Sequence, residues 1–212
     1  MILKLHKRNM TRLWQAGHLS SRHKYIKDFA IMKSYFRNSF EHMLQGLAYW
    51  LAYKSETVKY QITEAEAVGE AFAILNNRLP AGYKVKKEFP YGNISKSFGH
   101  LRADLAIVNS QNECECLIEF KLAGSTNGGY KADVNKISKV RKNYPDIDCY
   151  VVIVYRSSCQ LAVPRNLVDE NGKSIKKIIP INSSNVRVRR VCNAIGSKTA
   201  NRMKKVVWLE VL

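Results

Sequence analysis

Two stretches, RADLAIV (residues 102–108) and CECLIEFKL (residues 114–122), decide the reading of this chain. Each reads as a strand, and each carries charge where a buried strand carries an apolar residue. With a period of two, Arg102, Asp104 and Ala106 point one way, and Ala103, Leu105 and Ile107 the other. In the second stretch Glu119 and Lys121 share a face, while Cys116, Ile118, Phe120 and Leu122 share the opposite one. The polar loop 109–113 makes the two strands neighbours. An acid and a lysine two residues apart, framed by Leu and Ile, are costly to bury unless they are paired or bound to a metal.

A divalent cation meets that need. Magnesium takes hard oxygen ligands, often only one or two carboxylates, and completes its octahedron with water and substrate phosphate. The candidate ligands are Asp104, Glu119 and the carbonyl of Phe120. Lys121 is the candidate for holding an attacking water or offsetting charge on a phosphate. Mn²⁺ is expected to substitute for Mg²⁺.

Upstream, residues 63–79 read as a helix. Thr63 caps it, Glu66 lies at the capping-box spacing, and Pro80, Ala81 and Gly82 stop it. Residues 83–89 alternate as a strand and run into turn chemistry at Pro90, Tyr91, Gly92 and Asn93. Downstream, residues 130–144 read as a helix ended before Pro145. The apolar run 149–155 is expected of a central strand covered on both faces. Residues 174–181, 186–191 and 206–211 are further strands. Near the start, Phe29, Met32, Phe36, Phe40, Met43, Leu47 and Trp50 or Leu51 fall at helical spacing over residues 24–53. This order predicts an α/β domain over residues 59–212, a mixed β-sheet flanked by helices. A basic helical extension, residues 1–58, precedes it.

Asp104, then Glu119 and Lys121 on the next strand, with an acidic helix ahead and a basic helix after, resembles the PD-(D/E)xK nuclease superfamily. The resemblance covers residues 63 to 155. It implies a restriction-endonuclease-like core and Mg²⁺-dependent hydrolysis of DNA phosphodiester bonds by Asp104, Glu119 and Lys121. It also implies an acidic residue on the preceding helix, for which Glu70 is the first choice and Glu66 and Glu64 the alternatives. On the following helix Lys131 and Lys136, and more weakly Asn135, become candidates for substrate phosphate. One departure is Ala103, which stands before Asp104 where the motif is named for proline. An RNA-directed nuclease and a non-catalytic nucleic-acid-binding protein are the alternatives.

Composition agrees with a polyanionic partner. The 212 residues carry a formal charge of +18, and phosphate backbones are the commonest polyanions a protein meets. Arg187 and Arg189 share a strand face in the basic C-terminal third, a candidate phosphate stripe. Five cysteines, an odd number, suggest reduced thiols. Residues 1–10 contain no apolar h-region, and the apolar stretch 46–53 is far shorter than a membrane span. A cytoplasmic protein is expected. The pair Cys114 and Cys116 has no second pair at zinc-finger spacing, and the glycine-rich loop 124–129 lacks the ending of a Walker motif. The N-terminal helix, with Tyr49, Trp50 and Tyr53, is a candidate surface for a homodimer.

Overall fold

A computed structural model of the protein describes residues 19–57, 62–123, 129–155, 178–181, 183–195 and 204–212, with side chains from residue 36 onward. The chain divides into two compact units, Met1–Asn38 and Ser39–Leu212. The described part of the first is helical.

The elements are α1 (Leu19–Thr57), α2 (Glu64–Asn76), β1 (Lys84–Pro90), β2 (Arg102–Val108), β3 (Cys114–Ala123), α3 (Gly129–Asn143), β4 (Asp148–Tyr155), β5 (Ile178–Ile181), β6 (Ser184–Ala194) and β7 (Lys204–Val211). Single 3-10 turns at Tyr91–Asn93 and Lys96–Phe98 join β1 to β2. The strands form one seven-stranded sheet in the order β1-β2-β3-β4-β7-β6-β5. Among the described residues only β3 and β4 pair in parallel, linked through α3, and every other pairing is antiparallel. This is an α/β architecture with a mixed sheet. The run 149–155 lies at its centre and is buried throughout.

Each face of the sheet is covered by what the patterns supply. Tyr130, Val134, Ile137 and Val140, the apolar stripe of α3, pack with Leu117, Val151, Ile153, Val207 and Leu209. On the other face Phe40 of α1 stacks on Trp208 at 5.2 Å and meets Tyr150 edge-on at 5.0 Å. Ser39 and the rest of α1 to Thr57 thus belong to the sheet-bearing unit, although the sequence placed residues 1–58 together as an extension. Gly46 permits the close approach of α1 to α2, because a Cβ there would lie 2.8 Å from Cδ1 of Ile74.

The start of α2 follows its capping box. The Thr63 hydroxyl accepts the Glu66 N–H at 3.2 Å, and the Glu66 carboxylate accepts the Thr63 N–H at 2.8 Å. Two orphan donors are satisfied at once. Residues 174–177 of one expected strand lie outside the described residues. Among the described residues no helix is long and apolar enough to cross a membrane.

Candidate functional site

The site lies where β2 parts from β3. Their pairing runs from Val108 opposite Cys114 to Leu105 opposite Ile118 and stops there. By contrast β3 stays paired with β4 as far as Ala123 opposite Tyr155. The N–H groups of Phe120 and Leu122 therefore face a gap without a strand partner, and buried backbone donors need an acceptor. Carboxylates take both. Asp104 Oδ2 accepts the Phe120 N–H at 2.6 Å, and Glu64 Oε2 accepts the Leu122 N–H at 2.8 Å. Within one strand residue the N–H and C=O point to the same side, so the Phe120 carbonyl also faces the gap.

Glu119 points to the α3 face and is 1% exposed. Its Oε2 forms an ion pair with Lys136 Nζ at 2.7 Å, and its Oε1 accepts the hydroxyl of Tyr91. Lys136 also donates to the Arg102 carbonyl at 3.1 Å, which ties α3 to the first residue of β2. Burial pushes the Glu119 carboxyl up to about 7, against the pull of Lys136 and Tyr91. Burial also raises Asp104, opposed by the Phe120 N–H and by Lys136.

Lys121 lies two residues on, a third exposed, with its Nζ 3.4 Å from Glu64 Oε2. The first residue of α3 presses on its stem: a Cβ at Gly129 would lie 2.8 Å from Lys121 Cε. Asp133, one turn before Lys136, has a buried Oδ2 with no hydrogen-bond partner among the described residues. Burial raises its carboxyl, while Lys121 and Lys136 pull it down and Glu64 and Asp104 push it up. Across the sheet Glu88 stands opposite Asp104, between the pairs Lys87–Leu105 and Phe89–Ala103. Its φ of 49° is a conformation that residues other than glycine seldom adopt.

Asp104, Glu119 and Lys121 are thus brought to one parting of the sheet. Of the three helix glutamates, Glu64 makes the contacts with β3, Glu66 is occupied with the cap, and Glu70, the first choice from the sequence, is six residues, about 9 Å, further along α2. The first turn of α2 is the part that reaches the open edge of β3. Lys136 lies within the centre, whereas Lys131 is exposed. Arg187 and Arg189 are bound to Glu210, at 3.6 and 2.8 Å, on a strand three spacings, about 14 Å, from β3. They do not join the centre.

Tyr91 and Asp133 were missed. Nothing in the turn Tyr91–Asn93 marks its first side chain as a partner for Glu119. Asp133 did leave a signal, since it interrupts the stripe of Tyr130, Val134, Ile137 and Val140.

The groups present suit a hard divalent cation. Among the described residues, the four carboxyl groups of Glu64, Asp104, Glu119 and Asp133 share the two ammonium groups of Lys121 and Lys136, so acidic groups outnumber basic ones at this place. The donors are all oxygens, as magnesium requires. Among the described residues no three His, Cys, Asp or Glu side chains are grouped to hold a metal by themselves. Two carboxylates with water and phosphate suffice for magnesium. Cys114, Cys116, Cys149 and Cys192 are free thiols. Comparison with known proteins finds no match: no family model, curated sequence or solved structure is similar to this chain.

Proposed function

We propose that the protein is a metal-dependent endonuclease that hydrolyses DNA phosphodiester bonds, on a restriction-endonuclease-like fold of the PD-(D/E)xK kind. The reading is carried by the meeting of Asp104, Glu119 and Lys121 at the parting of β2 and β3. Asp104 and Glu119 are the carboxylates that would hold Mg²⁺ or Mn²⁺, with the Phe120 carbonyl beside them. Such an ion polarises a phosphate and lowers the pKa of its water.

The chain's own groups do the rest. Lys121, a third exposed and paired with Glu64, orients the attacking water or offsets charge on the phosphate. Lys136 adds a second ammonium beside the scissile group. The excess of lysine and arginine, 35 against 17 acids, draws the DNA backbone to the protein. A restriction, defence, mobile-element or repair setting suits such an activity. A homodimer through α1, where Tyr49 and Tyr53 are exposed, would place two centres for paired cuts.

Purified protein incubated with supercoiled plasmid, linear duplex DNA and RNA, in Mg²⁺, Mn²⁺ or EDTA, tests the reading. Metal-dependent cutting of DNA, lost in Lys121→Ala while binding persists, is expected. Cutting of RNA alone redirects the substrate. Binding without cutting under every metal makes the protein a nucleic-acid-binding module instead.

A further inference from the structure

We propose that Tyr91 is a positioning residue for Glu119: its buried phenol fixes the carboxylate in the orientation that receives the divalent cation. The proposal rests on the metal-dependent reading above.

Tyr91 is fully buried. A phenylalanine would fill the same ring volume, so the hydroxyl is present for its hydrogen bond, and its acceptor is Glu119 Oε1. A carboxylate offers about four lone-pair sites. Tyr91 uses one on Oε1 and Lys136 one on Oε2, leaving a site on each oxygen. Anchored at both oxygens, the glutamate cannot rotate.

The two anchors differ in charge. The ammonium of Lys136 repels an arriving cation, whereas the phenol is neutral. A phenol keeps its proton at ordinary pH. Tyr91 is therefore the anchor compatible with a bound metal.

The ring is itself held firmly. Its backbone N–H donates to the Leu101 carbonyl at 2.8 Å, and its carbonyl accepts the N–H groups of Ile94 and Ser95 at 2.9 and 3.1 Å. Phe98 meets it edge-on at 6.1 Å. Partners of this kind, one step behind a ligand, are worth roughly 10–100-fold in metal affinity.

The test is calorimetric titration of Mn²⁺ into wild type, Tyr91→Phe and Phe98→Ala, with thermal melts of each and the Mn²⁺ dependence of DNA cutting. Tyr91→Phe is expected to bind Mn²⁺ about tenfold more weakly. It should need correspondingly more Mn²⁺ for half-maximal cutting while its rate at saturating Mn²⁺ stays close to wild type. Phe98→Ala loosens the packing without removing the hydroxyl, so its melt falls while its Mn²⁺ affinity holds. Unchanged Mn²⁺ affinity in Tyr91→Phe, or affinity that merely follows the melt in both variants, overturns the proposal and leaves the metal reading standing. If wild type binds no Mn²⁺, the metal reading falls and this proposal with it.

Discussion

Glu119 concentrates the conflict between stability and chemistry. A carboxylate at 1% exposure loses its hydration, and its two partners only partly offset that loss, so its value rises from 4.5 to about 7. The folded state thus binds more protons than the unfolded chain between those values. The stability linked to this group is fully present below about pH 4.5 and is lost as pH rises through 7. The gap between the two values corresponds to about 3 kcal/mol. Glu119→Gln removes the charge and keeps an oxygen for Tyr91, while Lys136, a quarter exposed, regains hydration. The variant of the metal-free protein is expected to be more stable than wild type by about 1–2 kcal/mol at pH 8.5 and equal to it near pH 4.5. Thermal melts at both values check this, and a gain of the same size at both would refute it.

At the scale of elements, period and punctuation made most of the fold legible. Thr63 with Glu66 announced the start of α2, Pro145 the end of α3, and the apolar run 149–155 the central strand. Alternation put Glu119 and Lys121 on one face of β3 and Asp104 with Ala106 on one face of β2, because parity sets a side chain's face within a strand. The site's remaining parts were hidden because they depend on where strands stop pairing. No local pattern says that β2 and β3 stop pairing at Leu105 opposite Ile118, and that parting is what brings Glu64 rather than Glu70 to β3. Glu64→Ala should leave the Leu122 N–H and Lys121 without their acceptor, lowering stability by about 1–2 kcal/mol and cutting activity with it. Glu70→Ala should stay within about 0.5 kcal/mol of wild type with activity intact. Denaturant unfolding beside the cutting assay decides; equal effects would return the assignment to Glu70.

For the whole molecule, the surplus of positive charge and the negative centre oppose each other. A chain with formal charge +18 draws a phosphate backbone to itself, yet Glu64, Asp104, Glu119 and Asp133 would repel a phosphate brought to the parting of β2 and β3. A divalent cation held by Asp104 and Glu119 would reconcile the two, because it would offset the carboxylate charge. Without one, the protein should bind DNA and leave it intact. The most direct measurement is therefore the rate at which purified protein nicks supercoiled plasmid in Mg²⁺, for wild type beside Asp104→Asn. Asparagine keeps an oxygen for the Phe120 N–H and removes only the charge that would hold the ion. Nicking that requires Mg²⁺ and falls at least about a hundredfold in Asp104→Asn, with DNA binding retained, is the expected result. Equal nicking by the two proteins, or nicking that continues in EDTA, would contradict it.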